Sequence, residues 1–245
     1  MMRIGVRTAV PLLLGAILSL PAFANTTDSK VPLTPYSAEY RVKISVLGGR
    51  LRTNLQTLDT GYRAESDIEA TGLSRIVAHG AIRESSVFEP GEDGLRPTHF
   101  ISVDTLTNDA ETVDLGFDWD AGVASGLIDN TEFSTSISGL VLDRVSLQYG
   151  LMYDLLNGIE RDTYFLQDAE KFKELTITNI GVKTVSVPFG KFNAVGIQHQ
   201  QVNSSRITTL WCAEELGYLP VVIEQHRNGK LRMRAVLTEY MPANN

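Results

Sequence analysis

The stretch DRVSLQYGLMYDLLN, residues 143–157, decides the fold, because it reads as a helix in a chain that otherwise reads as strands. Asp143 is placed to cap it, since a carboxylate there accepts from the first free amides. Asn157-Gly158 is placed to stop it. Between them Ser146, Gly150, Asp154 and Asn157 form a narrow polar stripe at spacings of 4, 4 and 3. Val145, Leu147, Tyr149, Leu151, Met152, Tyr153, Leu155 and Leu156 take most of the remaining circumference. A surface helix shows the inverse, an apolar stripe on a polar cylinder. The spacing therefore predicts one short helix buried on most sides.

What buries it must come from the flanking sequence, and there the period is 2. In YSAEYRVKISV (36–46) Tyr36, Ala38, Tyr40, Val42, Ile44 and Val46 share one parity, and Glu39, Arg41, Lys43 and Ser45 the other. That is a strand with one dry and one wet face. Gly48-Gly49 is expected to turn the chain. The alternation returns at 62–70, at 112–119 and at 230–238, the last opened by Asn228-Gly229, a type I′ hairpin signal. Turn residues fall at short intervals, which argues for a meander of antiparallel strands. A single sheet of roughly a dozen strands must curl or close. The expected fold is mainly β: a strongly curved antiparallel sheet, or barrel-like β-roll, wrapped around the 143–157 helix.

The N-terminus reads as an export signal. Arg3 and Arg7 precede the apolar run VPLLLGAILSL, and Ala22-Phe23-Ala24 supplies a small-x-small cleavage site. The run is too short for a transmembrane span, which needs about 20 residues. No transmembrane span is expected in the mature chain, and no cysteine offers a lipid attachment point after the run. Cleavage after Ala24 removes 24 of 245 residues and two positive charges, so a net charge of −7 becomes −9. Such a chain repels polyanions, and nucleic acid is not an expected partner. Cys212 is the single cysteine, so no intrachain disulfide can form, and it reads as a small buried hydrophobe. These features point to the periplasm. The expected organisation is a signal peptide at 1–24, a flexible lead-in at 25–35 and one β-rich domain at 36–241.

His79, His99, His199 and His226 show no metal-ligand spacing, so no metal site and no cofactor is expected. There is no nucleophile elbow and no phosphate-binding loop. Asp118-Trp119-Asp120 invites a glycosidase reading, but the period puts both acids on the wet face and Trp119 inside. A binding role is favoured over an enzymatic one. Arg41 and Lys43 share the wet face of the first strand, and Arg232 and Arg234 that of the last. If those strands pair, the four form a patch able to hold an anion.

Four segments then acquire a joint meaning: GLRPTHF (94–100), DRVSLQY (143–149), VPFGKFNAVGI (187–197) and TTLWCAEELGYLPVVIE (208–224). Through Gly94-x-x-Pro97, Asp143-x-x-Ser146, Pro188-x-Gly190 and Trp211 followed by Pro220, the chain resembles the bacterial envelope family catalogued as domain of unknown function 3108. Val187 stands where the family more often has threonine. The resemblance implies an exported β-rich domain around a short helix and brings no catalytic residue with it. Some motifs are also similar to those of periplasmic lipoprotein carriers, an analogy of fold only.

The functional expectation is a periplasmic protein that holds a lipid-like amphiphile in its curved sheet. Tyr40, Val42, Phe117, Trp119, Tyr149, Met152, Tyr153 and Trp211 would form the wall. One alternative is an envelope glycan hydrolase using paired carboxylates. Another is a structural or assembly factor with a solid core, whose partners would be other envelope proteins.

Overall fold

The computed structural model describes residues 30–107 and 110–243. The proposed signal peptide and residues 25–29 of the lead-in lie outside the described residues. The first half of the chain forms β1 (Tyr36–Ile44), β2 (Leu47–Leu58), β3 (Gly61–Ala70), β4 (Ala81–Gly91), β5 (Gly94–Asp104), β6 (Glu111–Asp118), β7 (Val123–Ile128) and β8 (Thr131–Ser136). After β9 (Val141–Leu142) comes the helix α1 (Ser146–Leu156). The return is β10 (Thr163–Asp168), β11 (Lys171–Val187), β12 (Gly190–Gln201), β13 (Arg206–Ala213), β14 (Leu219–Arg227) and β15 (Lys230–Pro242).

All fifteen strands belong to one sheet, ordered 8-7-6-5-4-3-2-1-15-14-13-12-11-10-9. Two meanders are thus joined back to back where β1 pairs antiparallel with β15. A short parallel pairing of β9 with β10 is the one exception to antiparallel order. β8 and β9 follow one another in the chain yet lie at opposite edges of the sheet. Only residues 137–140 join them. That connector reaches about 18 Å, whereas fifteen strands laid flat would span roughly 67 Å. The sheet must therefore coil until its edges approach, barrel-like but not closed. Bulges at Glu39/Tyr40, Val87/Phe88 and Trp211/Cys212 add local twist.

The helix fills the coil, and its composition follows from its position between two apolar clusters. Val145, Tyr149, Met152 and Tyr153 enter one, with Tyr36, Tyr40, Phe88, Phe100 and Trp211. Leu147 and Leu151 enter the other, with Leu142, Tyr164, Leu166, Leu210 and Cys212. The polar stripe is buried as well, at Ser146, Gly150 and Asp154. Gly150 lies on it because a Cβ there would meet Leu142 at 2.9 Å.

Both ends of α1 are closed by their own residues. Asp143 Oδ1 accepts from the amides of Val145 and Ser146, each at 2.8 Å, while Ser146 Oγ accepts from the Asp143 amide at 2.9 Å. This is a reciprocal capping box, and it gives Asp143-x-x-Ser146 a structural meaning. At the other end the Ile159 amide donates to Asp154 O at 2.8 Å and Gly158 takes φ +62°. That is a Schellman closure.

Three local expectations change. The first hairpin turns at Ser45-Val46, with Ser45 at φ 55°, not at Gly48-Gly49. The glycines lie in β2, where a Cβ on Gly49 would stand 3.0 Å from Glu69 O, so they serve close strand approach. Ile44 and Val46 keep the buried parity of β1 but are exposed, because they run past the covered part of the sheet. Within the lead-in, Leu33 is buried and donates its amide to the Tyr62 hydroxyl at 3.1 Å. The Val31 amide donates to Asn157 Oδ1 at 2.6 Å, so this part is held rather than loose.

Candidate functional site

The eight side chains expected as a cavity wall are brought together, as filling. Tyr40, Val42, Phe117, Tyr149, Met152, Tyr153 and Trp211 are buried, and Trp119 packs against them half-buried. Tyr149 stacks on Phe88 at 5.3 Å and meets the Tyr36 hydroxyl at 3.2 Å. Trp119 stacks on Phe117 at 6.2 Å and donates Nε1 to Pro97 O at 2.7 Å. Lys183 Nζ lies 3.6 Å from the centre of the Trp211 ring. Two polar atoms inside this cluster, the Tyr40 hydroxyl and Trp211 Nε1, have no hydrogen-bond partner among the described residues. The phenol of Tyr40 is pushed well above its ordinary range by burial.

The four cations singled out from parity do share a site. The pairing of β1 with β15 sets Lys43 opposite Arg234 and Arg41 opposite Val236. Arg232 joins them through its carbonyl, which accepts from the Ser45 amide at 3.2 Å. All four line a groove of about 770 Å³ on the outer face, and among the described residues no carboxylate lines it. Arg234 reaches Glu224 at 3.4 Å. Arg41, Lys43 and Arg232 have no ion pair among the described residues. The groove is completed by apolar groups, among them Val46, Leu47, Leu231 and Val236. Like charges placed directly opposite in a sheet repel, so an anion bound between them would relieve a standing cost.

A second groove of about 620 Å³ crosses the outer face further along β1 and is acidic, with Glu39, Glu65, Asp67, Glu84 and Glu239 against Arg52 and Arg83. Three of the five carboxylates hold an arginine: Arg52 Nε meets Glu39 at 3.3 Å, Arg83 Nε meets Asp67 at 3.0 Å and Arg144 Nε meets Glu84 at 2.9 Å.

Sequence reading missed a charge cluster around Arg144. Its guanidinium meets Glu84 and Asp168 at 2.9 Å each and Glu111 at 3.4 Å, and Lys173 also pairs with Asp168. Asp143 is wholly buried beside it and accepts from the Ser86 hydroxyl at 2.6 Å. Burial raises the carboxyls of Glu84 and Asp143 above their ordinary range. Every carboxylate here already holds a protein partner, so the cluster anchors the start of α1 to β4, β6 and β10. The partners come from positions 84, 111 and 168, and no local pattern announces them.

The remaining candidates are structural in their placement. Asp118 accepts from the Ala121 amide at 2.8 Å within the β6–β7 turn, and Asp118 and Asp120 are exposed. Among the described residues no three His, Cys, Asp or Glu side chains form a metal-holding group. Cys212 is buried, and that burial pushes its thiol up to about 12, outside the range of a reactive thiolate. No described helix is long and apolar enough to cross a membrane.

Comparison with known proteins places the fold. No curated protein matches the chain. The crystal structure of a β-barrel-like protein of a domain of unknown function, DUF1849, from Brucella abortus is similar, with a TM-score of 0.54 at 12% identity. The likeness covers 87% of this chain and 100% of that one, and it shows a shared fold. A Bacteroides fragilis protein described as a candidate exported protein with a YmcC-like fold covers 86% of this chain and 98% of its own. Its TM-score of 0.34 at 10% identity carries no argument. A family model described as protein of unknown function, DUF3108, matches residues 33–236, and the chain belongs to that family.

Proposed function

We propose that the protein is an exported periplasmic binding protein for an anionic amphiphile, with the headgroup held by Arg41, Lys43, Arg232 and Arg234. The export reading rests on the basic, apolar and small-x-small order of residues 1–24. The observation that carries the binding reading is the Lys43–Arg234 opposition, with Lys43 unpaired among the described residues, in a groove lined by four cations and no described carboxylate. A volume near 770 Å³ lies within the roughly 300–1,000 Å³ of small-molecule sites. Because α1 fills the interior, the apolar part of the ligand is assigned to the groove's own apolar lining. Guanidinium groups suit phosphate by forked hydrogen bonding, and lysine suits it as a point charge.

The test is thermal unfolding with a short-chain, soluble phosphatidylglycerol, against phosphatidylcholine of the same chain length. A ligand that binds only the folded state raises the melting temperature. The anionic lipid should do so, the zwitterionic lipid should not, and Lys43→Glu with Arg234→Glu should abolish the effect. An unchanged melting temperature with the anionic lipid would sink the proposal.

A further inference from the structure

Seven of the seventeen large apolar side chains exposed among the described residues lie in or beside three neighbouring turns: Ile44, Val46, Leu47, Leu73, Ile76, Val77 and Leu231. Ile44 ends β1, Val46 lies in the β1–β2 turn and Leu47 opens β2. Leu73, Ile76 and Val77 belong to or follow a 3₁₀ turn, Gly72–Ile76, after β3. Leu231 follows the β14–β15 turn. Hydrogen bonds tie these turns together. The Thr71 amide donates to Gly48 O at 3.0 Å, the Gly48 amide to Ser74 Oγ at 2.8 Å, and the Ser45 amide to Arg232 O at 3.2 Å.

Val46, Leu47 and Leu231 also rim the groove, whereas Leu73, Ile76 and Val77 stand clear of it. Val46 is 89% exposed, Leu73 84%, and Ile76 and Val77 70% each, so they protrude from separate tips. Behind them stand Arg41, Lys43, Arg232 and Arg234. Arg75 adds a fifth cation, and Glu69 beside it is already engaged by Arg50. Protruding apolar tips backed by cations fit an interface where hydrocarbon lies beneath a layer of negative charge.

We infer that this end of the molecule docks on an anionic phospholipid bilayer, the tips entering the headgroup region while the cations meet lipid phosphates. The inference rests on the proposed headgroup groove for its cations, and adds the three apolar tips. Charge complementarity selects the occupant, since a chain with net charge −7 keeps its carboxylates out of this groove.

Co-sedimentation of the intact protein with phosphatidylcholine vesicles, with and without phosphatidylglycerol, tests it. The parent should bind only the anionic vesicles. Leu73→Asp with Val77→Asp, both outside the groove lining, should weaken that binding by roughly tenfold or more and leave binding of soluble short-chain phosphatidylglycerol intact. Both substitutions are at exposed positions, and an unchanged melting curve confirms folding. Vesicle binding that survives the tip substitutions but not Lys43→Glu with Arg234→Glu overturns the docking surface and keeps the groove. Tip-dependent vesicle binding without soluble-lipid binding keeps the docking surface and overturns the groove. A dimer in sedimentation that Val46→Asp dissociates, with no vesicle binding, reassigns the face to self-association and overturns the inference.

Discussion

Lys43 and Arg234 stand directly opposite one another across the antiparallel seam of β1 and β15. Arg234 has Glu224 for partial relief, whereas Lys43 has no ion pair among the described residues. The seam is also what unites the two meanders, so the repulsion falls on the pairing that holds the sheet together. Lys43→Thr removes one charge and keeps a good strand residue. It should stabilise the ligand-free protein by about 0.5 kcal/mol. Chemical unfolding at low and high salt checks this: the gain should shrink as salt screens the parent's repulsion. A less stable variant would mean that Lys43 makes a favourable contact instead.

Asp143 carries the start of the helix. Its carboxylate accepts from two backbone amides and from Ser86, all inside the protein. Asp143→Ala strands those donors, and the loss should be about 3 kcal/mol or more. Asp143→Asn keeps an acceptor for the amides and avoids burying a charge, whose cost is visible in the raised carboxyl. It should lose much less. Urea titration of the two variants separates them, and equal losses would show that the charge, not the cap, matters.

The pH dependence of stability has a named contributor in His199, partly buried on β12 between Ile177 of β11 and Thr208 of β13. Burial lowers its imidazole from 6.5 to about 4. Between those values the unfolded chain takes up a proton that the folded chain refuses, so stability falls as pH drops from 6.5 toward 4. The raised carboxyls of Asp143 and Glu84 act in the opposite sense at the acidic end, favouring the folded state when protonated. Comparison with His199→Gln isolates the histidine. The variant's melting temperature should decline less than the parent's across that window, and parallel curves would remove His199 from the account.

Legibility in the sequence followed the range of the interaction. The helix was legible because its stripe, cap and stop lie within sixteen residues, 143–158. Asn228-Gly229 was legible for the same reason, and both residues take positive φ, 52° and 71°. Gly48-Gly49 misled because a glycine marks close approach as readily as a turn, and the close partner, Glu69, comes from another strand. The cations of the groove were legible one strand at a time. Their meeting depended on β1 pairing with β15, which no local pattern states. The Arg144 cluster draws on four strands, β4, β6, β10 and β11, and left no trace. Alternation along the strands reports that a face is dry, not whether apolar protein or apolar ligand dries it.

Tyr40 gives the sharpest test of that last distinction. The side chain is wholly buried in the cluster that α1 completes, and its hydroxyl has no hydrogen-bond partner among the described residues. A buried hydroxyl without a partner costs roughly 1–3 kcal/mol. Tyr40→Phe deletes only that oxygen and preserves the ring. If the interior is solid, the variant should be more stable than the parent by about 1 kcal/mol, with the same dependence on denaturant. If the variant is instead less stable, the hydroxyl is satisfied in solution, by ordered water or by the polar end of something held inside the coil. Native mass spectrometry of the parent and of Tyr40→Phe, both extracted gently from cells, divides those two cases. A mass excess on the parent that the variant lacks would move the ligand from the seam to the interior, and α1 from filling to wall.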